Sequence, residues 1–376
     1  RPGDQERPGG LASVPASTSL TRPGATAGAH APDSRAGRPG RRVLPWLVMA
    51  VVLLVAVVLS ISCGSRPIDL ASTWRVVPQV FGGDPGAVPG VPPLDGAVVE
   101  SRVWRTAAGV LTGAALSVAG ALLQGATRNP LGDPGILGLT AGASFAVVTG
   151  GALFGLSGVA NQLWLAALGS AVAMVAVYGL ATAARGGARP VTLALTGAAV
   201  SAGLTALTSA ILLSHQATFD TFRRWQVGEL TRPDGTFLVA ATPVVVVGLV
   251  LGWCLARSLD TLTLGDALGR GLGTHPALTR GLVGVAVVLL AGTSTALVGP
   301  LVFCGLLVPH AVRVVVGVSY QRVIPACLLA GPAIVLLADV VARVLVPDRE
   351  IQVGIALVVI GAPALVAVLR GKTVAA

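Results

Sequence analysis

The sequence predicts an all-α fold, a polytopic membrane protein of about ten transmembrane helices. Three observations carry this. Hydrophobic residues make up 53% of the 376 and charged residues only 11%, against about 25% charged in an ordinary soluble domain, so water could not solvate the surface of a soluble enzyme built from them. Mean hydropathy is +0.81. Charges are also absent from runs long enough to cross a bilayer, where roughly 20 apolar residues cover a hydrocarbon core of about 30 Å. The same composition excludes disorder for most of the chain, and four Cys are too few for a disulfide scaffold.

The charge-free intervals place the spans in order. The intervals Arg42 to Arg66, Arg105 to Arg128, Asp234 to Arg257 and Glu350 to Arg370 each take one span. The interval from Asp133 to Arg185 holds 51 residues, enough for two spans divided by a turn at Gly155 to Asn161. The stretch from Arg189 to Asp220 takes one long span. The 32 residues between Arg280 and Arg313 suit two short helices broken near Gly299 and Pro300. Val323 to Val346 is a last apolar run, interrupted only by Asp339 and Arg343. Residues 1–42, rich in Pro, Gly, Ala, Ser and Arg, have no apolar period and are expected to be a disordered cytoplasmic tail, leaving 43–376 as the transmembrane domain.

Net charge is +10, which in a soluble chain would suggest nucleic acid. In a membrane protein it is first a topology signal. With both termini inside, 17 of the 26 basic residues fall on the cytoplasmic side, as the positive-inside rule requires. The tail supplies seven of them and can touch anionic lipid heads. No nucleic-acid partner is expected.

No catalytic constellation is visible. The four His show no metal-ligand spacing, and Cys63, Cys254, Cys304 and Cys327 lie far apart and read as small hydrophobes. Gly371-Lys372-Thr373 lacks the preceding Gly of a phosphate-binding loop, since Val366 stands there. No cofactor site is therefore expected in this chain. Gly109 with Gly113, Gly138 with Gly142, and Gly151 with Gly155 stand four apart, a spacing that lets helices approach closely in lipid.

Four polar features remain. Arg102 and Arg105, three apart at the outer mouth of the second span, share a helix face. They are either snorkelling interfacial cations or an acceptor for carboxylates on a partner. Arg128 to Gly135 (RNPLGDPG) forces a non-helical turn, either a plain inside turn or a constriction on a pathway. Asp339 lies in an apolar run where a carboxylate costs about 2.5 to 3.5 kcal/mol. Arg343, four residues on, allows a structural pair with it. Leu262 to Thr279 carries Leu264, Ala267, Leu268 and Leu272 at helical spacing. This short cytoplasmic helix either docks on a soluble partner or lies on lipid.

Taken together these residues resemble the membrane permeases of ABC importers for iron–siderophores, haem and cobalamin. The likeness runs from Arg102-Val-Trp-Arg105 and GAALSVAGALLQG through RNPLGDPGILGLTAGA, LTLGDALGRGLG, GPLVFCGLLVPHAVRVVVG and LLADVVAR to Glu350-Ile-Gln-Val-Gly354 and IGAPALVAVL. It implies a cobalamin-permease-like subunit of ten helices in the cytoplasmic membrane that dimerises, with an identical or paralogous permease, around a pathway. An extracytoplasmic binding protein and two ATP-binding cassette subunits, which hold ATP and Mg, are the further partners. The chain itself would be a transporter and no enzyme, its cargo an iron–siderophore. By the same resemblance Arg102, Arg105 and Arg343 meet acidic groups of the binding protein, Asn129 and Leu131 form an inner gate, and Gly265, Asp266, Ala267, Leu272 and Gly273 belong to the segment that couples to the ATPase. A polar pair that opens the family's fifth span is unmatched, with Pro190 and Val191 standing there. The rival class is an ion-coupled secondary transporter, which needs intramembrane ionisable groups, and only Asp339 with Arg343 qualifies.

Overall fold

A computed structural model describes residues 40–156, 158–184, 190–231, 233–345 and 351–373. The expected tail lies outside them, apart from Gly40 to Arg42, which open the first helix. All regular structure among the described residues is helical. In chain order the helices are α1 (Gly40–Ser62), α2 (Leu70–Val76), α3 (Gln79–Gly82), α4 (Pro93–Thr127), α5 (Leu139–Phe154), α6 (Val159–Ala183), α7 (Pro190–Ser214), α8 (Gln216–Gln226), α9 (Gly235–Thr263), α10 (Asp266–Gly271), α11 (Pro276–Val287), α12 (Thr293–Val298), α13 (Cys304–Val316), α14 (Tyr320–Leu345) and α15 (Val353–Thr373). Among the described residues, seven helices, counting α11 and α12 as one continuous Pro276–Val298, are long and apolar enough to cross a membrane. The shorter apolar helices Leu139–Phe154, Cys304–Val316 and Val353–Ala364 bring the number to the ten expected.

The breaks follow local chemistry. α5 ends where Gly155 takes φ 63 and closes the helix through the Gly150 carbonyl, the left-handed cap that glycine adopts without a Cβ penalty. Between α12 and α13, Gly299 has φ 80 and Pro300 follows, so the seventh and eighth spans separate where the sequence expected. A single wide turn, Val288–Gly292, joins α11 to α12 with π-type hydrogen bonding. α9 hands its chain end to α14: Asp260 accepts from the Tyr320 N–H at 2.7 Å and from Ser319 Oγ at 2.8 Å, satisfying a helix N-terminus with a carboxylate.

α4 is the axis of the bundle. It packs against α14, α9, α13 and α11, and 83% of its apolar window is buried. Small residues make this possible. A Cβ on Gly113 would sit 2.7 Å from the Pro332 backbone of α14, and one on Gly120 would overlap the Gly305 carbonyl of α13. Between these close approaches, short polar side chains bridge the helices. Ser117 donates to the Cys327 carbonyl at 2.9 Å and Gln124 to the Gly305 carbonyl at 3.2 Å, the kind of link that holds helices together where lipid gives no hydrophobic drive. Of the three glycine pairs, Gly109 and Gly113 pack tightly, whereas Gly155 faces open space and serves its turn.

Two expectations need correction. The second span was ruled off at Arg105, but α4 starts three turns earlier at Pro93, so Arg102 and Arg105 lie within a helix rather than at its exposed mouth. The long fifth span stops at Ser214, and Gln216–Gln226 forms the separate α8.

Candidate functional site

The polar residues gather at the two ends of α4. At the arginine end, α4 turns Arg105 toward α14, where Nη2 meets Asp339 Oδ1 at 2.8 Å and Nε lies 3.1 Å from both carboxylate oxygens. Arg343, one turn beyond Asp339, closes on Oδ2 at 2.9 Å. The Asp339–Arg343 pair thus forms as its spacing allowed, and Arg105 joins it from 234 residues away. Asp339 is fully buried, and Arg102, Arg105 and Arg343 are each no more than 6% exposed. Arg343 also donates to the carbonyls of Ser60 and Cys63 at 3.1 and 3.0 Å, and Arg102 to the Ser62 carbonyl at 3.2 Å, so the C-terminus of α1 is capped by cations. The sequence reading missed this role of α1, and it missed Arg66. Arg66 is half-exposed, pairs with Asp95 at 2.8 Å, and with Arg102, Arg105 and Arg343 lines a cavity of about 210 Å³. Four guanidinium groups and two carboxylates leave an excess of positive charge here, a setting suited to a carboxylate.

The opposite end of α4 leads into the RNPLGDPG turn. Arg128 caps the helix at φ 49, ψ 32. It and Phe303 are the non-glycine residues with positive φ among those described, a conformation costing about 1–3 kcal/mol unless its surroundings hold it. Asn129 folds back to accept the Leu131 N–H at 2.9 Å, and Leu131 is exposed. Asp133 accepts the Gly135 N–H at 2.8 Å. Burial pushes its carboxyl above the usual range, with that N–H pulling the other way. Thr127, Arg128, Asn129 and Asp133 face Val191 and Leu195 of α7 across a cavity of about 360 Å³. The unmatched opening of the fifth span thus borders the predicted gate turn.

Beside that turn lies the segment 262–279, which forms the single short helix α10 between Gly265 (φ 112) and Gly273 (φ 82). The stripe read from spacing is real and unburied: Leu264, Leu268 and Leu272 are each more than half exposed, and Ala267 is exposed as well. Asp266, partly exposed, is instead held by cations. Arg280 binds it with two parallel bonds of 2.9 and 2.8 Å, and Arg128 pairs with the same carboxylate. The Arg280 hydrogen bond, then the two guanidinium charges, hold this carboxyl below its usual range. The structure therefore brings the residues expected to gate and those expected to couple together at one end, and the three arginines together at the other.

A bundle of this kind, with a charged cavity at one end, a closed non-helical turn at the other and small-residue helices between, is that of a multi-pass membrane permease. The model of the FecCD transport family matches residues 52–371, and the chain belongs to that family. Among its relatives, the ferric enterobactin transport system permease protein FepD of Escherichia coli (strain K12) is 40% identical over 86% of this chain and 94% of its own length. The probable siderophore transport system permease protein YfiZ of Bacillus subtilis (strain 168) is 31% identical, over 86% and 96%. The cobalamin import system permease protein BtuC of Halobacterium salinarum is 33% identical, over 89% and 98%. A solved structure described as a metal-chelate type ABC transporter in an inward-facing conformation superposes with a TM-score of 0.74 at 25% identity, covering 86% of this chain and 98% of that one.

Proposed function

We propose that the chain is the membrane-spanning subunit of an ATP-driven importer that carries a ferric siderophore across the cytoplasmic membrane. The observation behind this reading is the reach of α4, one unbroken helix running from the arginine cavity to the gate turn and the α10 surface. On this reading both ends of the chain lie in the cytoplasm, in line with the excess of basic residues there, and the arginine end lies outside. There the excess of guanidinium charge receives an acidic side chain of an extracytoplasmic binding protein, an electrostatic contact that favours fast and specific docking. Inside, the exposed Leu264, Leu268 and Leu272 offer an apolar face to an ATP-binding cassette subunit. Two such subunits hold ATP and Mg and do the hydrolysis, which is not assigned to this chain. Asn129 and Leu131 gate the pathway between.

A second permease subunit completes that pathway, and α7 supports its presence. The windows of α1 and α7 are only 17% and 11% buried. α1 is made of Val and Leu, which lipid tails accept, whereas α7 (PVTLALTGAAVSAGLTALTSAILLS) is rich in Ala, Gly, Ser and Thr. That composition suits a helix neighbour or a wet wall better than lipid. The names of FepD and YfiZ favour a siderophore as cargo, and the cobalamin permease of Halobacterium at 33% identity keeps cobalamin as the second reading. An ion-coupled transporter fits less well, because Asp339 is closed between two arginines.

The test is uptake of radiolabelled ferric enterobactin into proteoliposomes holding the chain with its cognate ATPase subunits and binding protein. The expected result is uptake that requires all of them and ATP. Uptake that persists without the ATPase subunits overturns the reading, and cobalamin uptake in place of ferric enterobactin selects the second cargo.

A further inference from the structure

The charges around α10 tie three elements to one carboxylate. Asp266 is the first residue of α10. Arg280, in the second turn of α11, grips both of its oxygens, and the Arg280 Nε also donates to the Ala126 carbonyl at 3.2 Å. Arg128 reaches the same carboxylate from the left-handed cap of α4. The last turn of α4 is thus attached at Ala126 and at Arg128, and the next residues are the Asn129–Leu131 turn, itself closed by the Asn129 side chain.

We infer that Asp266 is a positioning residue of the transport cycle, the link through which a displacement of α10 is passed to the Asn129–Leu131 turn. The inference rests on the reading of α10 as the ATPase contact and extends it to the gate. The planar fork of an arginine against a carboxylate fixes direction as well as distance, so α10 cannot shift far without moving the end of α4 or breaking these bonds. The lever is short, since Arg128 is joined to Asn129 by one peptide bond. The carboxylate and Arg128 are each more than a third exposed, and pairs of that kind add little to the stability of a fold. A contact that contributes little at rest can break and re-form within a cycle. The two flanking arginines keep Asp266 ionised at neutral pH, so the link is always charged.

The test uses the assembled transporter in proteoliposomes, with Leu131→Cys as a reporter labelled by a water-soluble maleimide before and after trapping with ATP and vanadate. In the reporter chain the labelling rate is expected to change about tenfold on trapping, within the usual range of coupling between sites. Asp266→Asn keeps the exposed Leu264, Leu268 and Leu272, and ATPase-subunit binding is measured beside it so that the labelling change is compared at equal occupancy. The nucleotide-dependent change in labelling should vanish, and the ATP spent per substrate should rise about tenfold. Asp266→Glu should restore the change. Arg128→Gln should reproduce the loss and add nothing to Asp266→Asn, and it carries the test if Asp266→Asn does not assemble. A nucleotide-dependent change that survives Asp266→Asn or Arg128→Gln overturns the inference and leaves the importer reading intact. Failure of the unsubstituted chain to bind the ATPase subunit overturns the importer reading, and the link with it.

Discussion

Two clusters in this protein share one composition, an aspartate held by two arginines, and differ in almost everything else. Arg105, Asp339 and Arg343 are buried where α1, α4 and α14 meet. Arg128 and Asp266 are each more than a third exposed at the junction of α4, α10 and α11, with Arg280 more buried beside them. Charges taken out of water need every partner in place, because removing one leaves the others without compensation. Charges at a surface are screened and replaceable. The first arrangement suits a fixed joint and the second a movable one, although the residue types are identical.

Asp339→Asn should sharpen the contrast most. It leaves two buried guanidinium groups without their carboxylate and should cost about 3–5 kcal/mol, read as a fall in detergent melting temperature on the order of 10 °C. A shift of under about 2 °C would show that water reaches the cluster and would erase the distinction. Arg102→Gln should act on association, with a smaller loss of stability from the α1 carbonyl it leaves uncapped. It removes one guanidinium that faces the cavity while Asp339 keeps both of its partners. Affinity for the binding protein should fall about tenfold, with the deficit shrinking as salt is raised from roughly 0.01 to 1 M. Equal affinity at low salt would remove the arginine cavity from docking.

The smallest effect concerns the movable joint and acid. The Asp266 carboxyl sits below its ordinary value in the folded chain, because of Arg280 and then Arg128. A carboxyl depressed by folding contributes stability above its unfolded value of about 3.9 and loses it as pH falls toward the folded one. Proteolysis between Gly265 and Gly273 should therefore stay constant from neutral pH down to about 4 and quicken only below it. Acceleration already near pH 6 would mean that another group governs the joint.

The spans were legible because the rule that defines them is local: a run without charge is a run that lipid accepts. The same rule misplaced the start of α4. Arg102 and Arg105 looked like the outer mouth of the span, but α1 offers carbonyls to the first and α14 a carboxylate to the second, and sequence spacing cannot show a partner 234 positions away. Asp339 with Arg343 was readable for the opposite reason, since four residues make one helical turn. The leucine stripe of α10 was also readable, while the attachment of Asp266 to Arg128 was not, because it crosses 138 residues. α8 was missed although its charges were visible. Asp220 was used only to end a span, and the polar, amphipathic run in which it lies was not read as a helix of its own.

The distance between Arg105 and Asp339 also orders events in the life of the chain. During synthesis α4 emerges long before α14 exists, so Arg105 has no Asp339 to pair with until the ninth span is made, whereas the Ser62 and Arg66 carbonyls that Arg102 binds precede it in the chain. The arginine end therefore closes late, when α14 threads back against α1 and α4. A chain cut short before residue 339 would leave Arg105 without its carboxylate and the arginine cavity without the wall that Arg343 of α14 supplies.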